Sequence, residues 1–286
     1  MSRARSPHGQ RDVLRLRFLS AFVGVPVLLL LAVVGGGWYV AAVVVGAIVA
    51  SLEMLGMLSG AGYRPVRSLG VVLSVAMVLV ALATDARIVP AVLMAAMLVG
   101  LFQMMARPDS VGALVDWALT LASALYVGGT MHYFIPLRAL PDGLFWILAV
   151  LVCTWVCDIT AFFVGRRWGK ARLAPRISPG KSVEGAVGGL AGAVLAAMAL
   201  GPLLTWLLSV TGLGGVNPIG VARLAGLGLV IGACAIAGDL VESFIKRQCG
   251  AKDSGAVIPG HGGVLDRIDS VLLAVVGAYF FVVITS

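Results

Sequence analysis

Apolar runs of about 20 residues recur along the chain, separated by short stretches rich in glycine, proline and charge. A run of that length forms a helix that can cross the roughly 30 Å hydrocarbon core of a bilayer. Nine such helices are predicted, over residues 16–34, 38–59, 68–84, 88–106, 113–136, 144–165, 185–210, 219–241 and 264–284. The pattern therefore predicts an all-α integral membrane protein, folded as a polytopic bundle of about nine transmembrane helices.

Composition argues against a soluble protein. Hydrophobic residues make up 60% of the 286 residues and charged residues only 12%, whereas soluble domains carry about 25% charged residues. The polar segments between the apolar runs are too short to fold alone. We divide the chain into N-terminal membrane helices over 1–140 and a C-terminal membrane region over 141–286, which holds the two long polar loops, 166–184 and 242–263.

The distribution of lysine and arginine predicts the orientation of the helices. If the N-terminus lies inside, 18 of the 21 basic residues fall in inside segments, as the positive-inside rule requires. The three exceptions are Arg87, Arg138 and Arg223. We therefore expect the N-terminus and both long polar loops to be cytoplasmic and the C-terminus to be external.

The eighth run and the segment after it carry an unusual concentration of charge. One face of the eighth helix, at spacings i, i+3, i+4 and i+7, holds Asp239, Glu242, Ser243 and Lys246. The ninth helix begins with Asp266 and Asp269, again three residues apart, and Arg267 lies between them. Charge inside a bilayer is costly, so these residues indicate a functional site; a buried ion-pair cluster that only joins two helices is the alternative.

Carboxylates from two helices, together with clustered bases, suit phosphate chemistry. Asp239 and Asp266 offer Mg²⁺ the oxygen ligands that it prefers, and a second cation can share such a site. The bases that can neutralise phosphate oxygens are Lys246, Arg247, Lys252 and Arg267. Gly262 and Gly263 let backbone amides approach a ligand closely, and His261 can donate to a phosphate.

A second polar stretch spans residues 157–185. Asp158 lies towards the end of the sixth predicted helix, and the residues that follow it include Arg166, Arg176, Ser178 and Lys181. Bases interleaved with hydroxyls and glycine suit a loop that contacts phosphate. Positive charge that only sets the topology is the alternative interpretation for this loop.

Other polar residues of the apolar runs are weaker candidates. For Glu53, in the second run, the sequence leaves a structural and a functional role equally open, and the role of Glu242 is also open. Asp116 fits a helix end and His132 fits a packing position. The chain has no H-E-x-x-H, G-x-S-x-G or Walker A pattern, which argues against the enzyme classes that those motifs mark.

Residues 243–269 resemble the signature of the phosphatidate cytidylyltransferase family, the CDP-diacylglycerol synthases. The fixed positions of that signature are occupied by Ser243, Lys246-Arg247, Lys252-Asp253, Ile258-Pro259, His261-Gly262-Gly263, Asp266-Arg267 and Asp269. Every fixed position matches over these 27 residues, which makes the resemblance far more specific than a lone glycine motif.

The stretch 157–185 resembles the family's second region. The matching positions are Cys157-Asp158, Gly165-Arg166, Gly169-Lys170, Pro175-Arg176, Ser178-Pro179, Lys181 and Glu184-Gly185. The chain departs from this region at Gly180 and Val183, where family members often carry a lysine and a tryptophan. The first 140 residues match only as a set of apolar spans.

The resemblance implies an Mg²⁺-dependent nucleotidyltransferase of phospholipid biosynthesis that makes CDP-diacylglycerol and pyrophosphate from CTP and phosphatidic acid. It implies that Asp239 and Asp266 hold the metal. The expected catalytic residues are Asp239, Asp266, Lys246, Lys252, Arg267 and Asp269. The expected substrate-binding residues are Asp158, Arg166, Arg176, Ser178, Lys181, Ser243, Arg247, His261, Gly262 and Gly263.

The resemblance also implies a location and partners. We expect a homodimer in the inner (plasma) membrane of a bacterium, in contact with the lipid bilayer and with no nucleic-acid partner. Residues 141–286 then form the catalytic region, with a polar cavity that faces the cytoplasm. Two alternatives are a related lipid cytidylyltransferase or polyprenol kinase, against which the full signature argues, and a transporter, which needs charges on both sides of the membrane.

The orientation can be tested by labelling single cysteine probes in intact cells. Because the basic residues concentrate on one side, a probe at position 286 should react with a membrane-impermeant reagent and a probe at position 172 should be spared. The opposite labelling pattern rejects the orientation.

Overall fold

The predicted apolar runs form helices in the computed structural model, which describes residues 24, 26–85, 87–106, 111–213, 219–255 and 262–286. In chain order, the elements are α1 (Gly36–Gly60), α2 (Arg67–Val80), α3 (Ile88–Met105), α4 (Ala113–Met131), α5 (Phe134–Ala139), α6 (Gly143–Trp168), β1 (Arg172–Ala174), β2 (Ser178–Ser182), α7 (Val183–Thr211), α8 (Val221–Gln248) and α9 (Leu265–Thr285). Residues 26–34 are also helical.

The class of the fold is confirmed as an all-α polytopic membrane protein. Within the described residues, seven helical segments are long and apolar enough to cross a bilayer, with α4 and α5 counted together as one of them. Helix α2 has only 14 residues, which rise about 21 Å and fall short of the hydrocarbon core. The first predicted span lies largely outside the described residues, so the count of nine stays a prediction.

The predicted boundaries of the two polar loops need correction. Helix α8 continues to Gln248, seven residues beyond the predicted end at 241, because glutamate, lysine and arginine favour helix as well as apolar residues do. Lys246 therefore lies on α8, as its spacing of seven residues from Asp239 predicted. The other predicted loop, 166–184, contains an antiparallel hairpin, in which β1 and β2 pair Arg172 with Ser182 and Ala174 with Ser178.

Small residues bring α6, α7 and α8 into close contact. A Cβ atom at Gly188 would lie 2.6 Å from Val164 of α6, and one at Gly228 would lie 2.6 Å from the carbonyl oxygen of Ala193 in α7. Gly188 and Gly192 are four residues apart, as are Gly228 and Gly232, a spacing of small residues that allows helices to approach closely. These glycines contact neighbouring helices of the same chain.

The N-terminal helices form their own contacts and also touch the last helix. The backbone amide of Arg64 donates to Asp116 Oδ1 at 2.7 Å, and the amide of Val66 donates to Thr120 Oγ1 at 3.0 Å. Helices α1, α4 and α5 each contact α9. The division of the chain at residue 140 stays a prediction, and side chains from both sides of it meet at the start of α9.

Gly228→Ala should destabilise the protein by about 1–3 kcal/mol, because the new methyl group overlaps backbone atoms of α7 that cannot turn away. Gly129→Ala is the matched control, since a Cβ at Gly129 meets nothing within 4 Å. The control should be neutral or gain up to about 1 kcal/mol from helix propensity. Thermal unfolding in detergent measures both, and equal midpoints contradict the close contact between α7 and α8.

Candidate active site

A cavity of about 800 Å³ opens at one end of the bundle, where α6 and α8 end and α7 and α9 begin. Its charged lining residues are Asp158, Arg166, Arg172, Lys181, Asp239, Asp266 and Asp269. Asp158 and Asp239 lie about 10 residues before the ends of α6 and α8, which corresponds to roughly 15 Å of helix. The two polar stretches singled out in the sequence therefore meet in one space.

Asp239 is the aspartate that the hairpin reaches. Lys181 of β2 places its Nζ 2.5 Å from Asp239 Oδ2 across the cavity. On the other side, Ser243 Oγ donates to Asp239 Oδ1 at 3.3 Å. The side chains of Lys181 and Asp239 are 25% and 33% exposed, so a ligand in the cavity can reach both charges and exchange partners with them.

Asp266, in the first turn of α9, accepts several hydrogen bonds. Its Oδ1 accepts from Lys246 Nζ at 2.8 Å. Its Oδ2 accepts from the amide and the hydroxyl of Ser254, at 2.8 and 2.9 Å, and from the amide of Gly263 at 2.9 Å. The carboxylate is thus fixed by groups from α8 and from the segment between α8 and α9, and its orientation is set before any ligand binds.

Lys246 lies partly buried between two acids. Its side chain is 14% exposed, and its Nζ lies 2.7 Å from Glu242 Oε2 and 2.8 Å from Asp266 Oδ1. Glu242 is fully buried, and within the described residues neither of its carboxylate oxygens accepts a hydrogen bond of good geometry. Lys246 therefore places one positive charge between the carboxylates of Glu242 and Asp266.

The hairpin and the start of α7 form the basic wall of the cavity. Ser182 caps α7 by accepting the amide of Gly185 at 3.1 Å, and both residues line the cavity. Glu184 accepts the amides of Lys170 and Ala171 and so holds the chain that leads into the hairpin. The N-terminus of α7 therefore faces the same space as Lys181, and its dipole favours an anion there.

Glu53 is a site residue whose role the sequence left open. It is 6% exposed and belongs to α1, yet its carboxylate lies at the start of α9. Ser254, which contacts Asp266 as well as Glu53, was not singled out in the sequence analysis. An acid in an apolar run was the only signal for Glu53, and nothing in the pattern marked Ser254.

The structure brings six of the predicted site residues to the cavity: Asp158, Arg166, Lys181, Asp239, Asp266 and Asp269. Ser243, Lys246 and Gly263 do not line it but contact its aspartates. Gly262 lies beside Asp266 at a φ of 81°, a conformation that favours glycine. The roles assigned to all of these residues stay predictions.

The other predicted site residues that the structure describes are not part of the cavity lining. Arg247 is exposed and donates to the carbonyl oxygen of Ile177, which ties α8 to the hairpin. Arg176 is exposed in the turn of the hairpin, and Ser178 begins β2. Lys252 and Arg267 are exposed, and His261 lies outside the described residues.

The aspartates of the cavity fit a divalent cation by their chemistry. Mg²⁺ prefers oxygen ligands and takes one or two carboxylates together with waters and substrate phosphates. Asp239 of α8 and Asp266 of α9 face one cavity from two helices, as the predicted site requires. In the described part of the chain, no three His, Cys, Asp or Glu side chains converge as a closed metal cage.

Comparison with known proteins decides the family. A model of the cytidylyltransferase family matches residues 15–285, nearly the whole chain. The chain belongs to the cytidylyltransferase family.

The chain matches individual relatives in this family over about half of their length. The chain is 40% identical to the phosphatidate cytidylyltransferase of Bacillus subtilis over 169 residues, which cover 59% of this chain and 58% of the relative. It is 45% identical to the Haemophilus influenzae protein of the same name over 133 residues, 46% and 44% of the two chains. The corresponding Synechocystis protein is 42% identical over 144 residues, 50% and 45% of the two chains.

Lys246→Met should destabilise this family member by about 3 kcal/mol or more, because Glu242 and Asp266 would lose the ammonium group that compensates their charge. The control is Lys252→Met, which removes an exposed lysine from the following loop and should leave the midpoint of thermal unfolding unchanged. If both variants unfold at the same temperature, Lys246 does not compensate the buried acids.

Proposed function

We propose that this protein is a phosphatidate cytidylyltransferase, which makes CDP-diacylglycerol and pyrophosphate from CTP and phosphatidic acid for phospholipid biosynthesis. The observation that carries the proposal is the cavity with acids on three helices and bases on its hairpin wall, in a chain of the cytidylyltransferase family. The curated relatives that bear this enzyme name support the same substrates.

The outer wall of the cavity supports a lipid as one substrate. Phe162 of α6 lines the cavity and is also 59% exposed on the surface of the bundle. Its neighbour Phe163 is 63% exposed, so this wall is apolar on the side that a bilayer covers. A lipid can therefore hold its phosphate in the cavity while its acyl chains stay among other lipids.

The basic residues of the cavity support a nucleotide as the other substrate. Arg166, Arg172 and Lys181 line the cavity together with the start of α7. A triphosphate carries several negative charges, and fixed positive groups stabilise such charges most strongly where water is excluded. In our proposal, these bases hold the phosphates of CTP, and Lys181 exchanges Asp239 for a phosphate oxygen when CTP binds.

The proposed reaction is a displacement at phosphorus. An oxygen of the lipid phosphate attacks the α-phosphorus of CTP, a new P–O bond forms, and the bond between the α-phosphorus and the bridging oxygen breaks, which releases pyrophosphate. The lipid phosphate is already anionic, so the step needs no dedicated base. Asp239 and Asp266 would hold Mg²⁺, which would supply charge neutralisation at the phosphate oxygens.

The proposal includes an orientation and an assembly. The protein lies in the inner membrane of a bacterium, and the cavity opens towards the cytoplasm. This orientation follows from the basic residues of the hairpin and of the end of α8, which the positive-inside rule places on the cytoplasmic side of the membrane. We further propose dependence on Mg²⁺, with room for a second cation, and a homodimer.

Two labels in CTP test the function. Purified protein is incubated with phosphatidic acid in mixed micelles, Mg²⁺, and CTP labelled at either the α- or the γ-phosphate. The α label should pass into the lipid fraction and the γ label into pyrophosphate. Transfer of the γ label to lipid would indicate a kinase instead, and no conversion of either label would reject the proposed reaction.

Asp239→Asn and Asp266→Asn should each lower turnover by a hundredfold or more, on the order of the loss of a strong electrostatic contact. Both keep the shape of the side chain and remove its charge. Asp85→Asn is the control, since Asp85 is exposed in a loop and accepts the local amide of Arg87 at 2.8 Å. Near-normal turnover in either of the first two variants contradicts the assigned roles.

A further inference from the structure

We propose that Glu53 is a positioning residue for the active site, which holds the start of α9 and the segment before it so that Asp266 faces the cavity. The inference rests on the proposed function insofar as Asp266 acts in that reaction. It assigns a role in the site to α1, a helix of the N-terminal half that lines no part of the cavity.

The contacts of Glu53 join parts of the chain that are far apart in sequence. Oε1 accepts the backbone amide of Val264 at 2.9 Å, and Oε2 accepts the amide of Leu265 at 2.8 Å. The first amides of a helix have no partner within the helix. The carboxylate therefore satisfies two such donors of α9 and places a negative charge at the positive end of the helix dipole.

Glu53 also reaches Asp266 through Ser254. The Ser254 hydroxyl lies 3.3 Å from Glu53 Oε2 and 2.9 Å from Asp266 Oδ2, while the Ser254 amide donates to Asp266 at 2.8 Å. Ser254 is 5% exposed. Two segments fix the Asp266 carboxylate, the residues around Ser254 and the first turn of α9. Glu53 therefore holds both of them.

Two glycines, Gly255 and Gly263, leave room for the Glu53 carboxylate. A Cβ atom at Gly255 would lie 2.7 Å from Glu53 Oε1, and one at Gly263 would lie 2.5 Å from Oε2. Side chains at these two positions would displace Glu53 from the amides. Gly263 is also the residue whose amide donates to Asp266, so the same glycine serves both acids.

The structure explains why a carboxylate is needed at this position. Each oxygen of Glu53 faces a backbone donor, and a carboxylate offers acceptors on both oxygens. Glutamine has the same shape but presents an NH₂ group to one of the donors, which leaves a buried amide without a partner. The start of α9 is then free to shift, and Asp266 shifts with it.

The test compares Glu53→Gln with the wild type and with Asp116→Asn, in purified full-length protein. Asp116 is a matched control, because it is also a buried acid of the N-terminal half, 7% exposed against 6% for Glu53, and also accepts a backbone amide. Glu53→Gln should lower kcat on the order of tenfold to a hundredfold, since a shift of about 1 Å in a catalytic group has effects of that size. KM for CTP should stay within about twofold, because the bases that hold CTP are untouched.

A second measurement does not depend on the reaction. Amide hydrogen exchange should become faster at 262–265 in Glu53→Gln and stay unchanged there in Asp116→Asn, because local opening of the first turn loses its two acceptors. If the wild type makes no CDP-diacylglycerol, the proposed function fails, while the exchange data still decide whether Glu53 holds α9.

Three results overturn the inference: kcat of Glu53→Gln within about twofold of wild type, unchanged exchange at 262–265, or an equal loss of kcat in Asp116→Asn. If Glu53→Gln does not fold, Ser254→Ala carries the test, since it removes only the hydroxyl between the two acids. That variant should show the same fall in kcat with CTP affinity retained. A wild-type kcat in Ser254→Ala rejects the role of the hydrogen bonds that link Glu53 to Asp266 through Ser254.

Discussion

The contact of the Lys246 ammonium group with Glu242 and Asp266 is the interaction on which this site depends. Acids in the interior of a membrane protein are stable only when the protein itself compensates them. Lys246 contacts Glu242 and Asp266 together, and so joins α8 to α9. The pair of Lys181 and Asp239 is different, because both side chains are partly exposed. One pair therefore holds the framework, while the other remains available to a ligand.

Close packing of small residues gives the cavity its walls. Glycines of α7 lie against α6, and glycines of α8 lie against α7, so three helices approach without bulky side chains between their backbones. The hairpin lies at the open end of the cavity and is held to α8 by two contacts. The carbonyl oxygen of Ile177 accepts from Arg247, and Lys181 pairs with Asp239. The polar space is thus bounded by the helices and by the hairpin.

Much of the fold could be predicted because its signals are local. A run of apolar residues predicts a membrane helix whatever its neighbours are, and the predicted bounds of α1, α3 and α6 differ from those observed by three residues or fewer. The i, i+3 spacing brought Asp266 and Asp269 to one cavity, as expected. The predicted end of α8 was wrong, because hydropathy falls where the charged residues begin but the helix continues through them.

The rest depended on contacts between distant parts of the chain. Nothing near Glu53 in the sequence indicates that its partners are Val264 and Leu265, more than 200 residues later. The β-hairpin was missed because β1 and β2 have three and five residues and carry proline, glycine and charge, which resembles a loop. Lys252 and Arg267 lie away from the cavity although their positions in the motif suggested phosphate contacts, since a motif gives spacing but not direction.

The long separation between Glu53 and its partners has a consequence for biosynthesis. Glu53 leaves the ribosome 211 residues ahead of Val264, which at about 5–20 residues per second corresponds to roughly 10–40 s of translation. During that time α1 must wait in the membrane with a carboxylate whose acceptor sites are not yet filled by α9. The site is therefore completed only when α9 inserts, and a ribosome that stalls before that point leaves a membrane-embedded chain with an unfinished site.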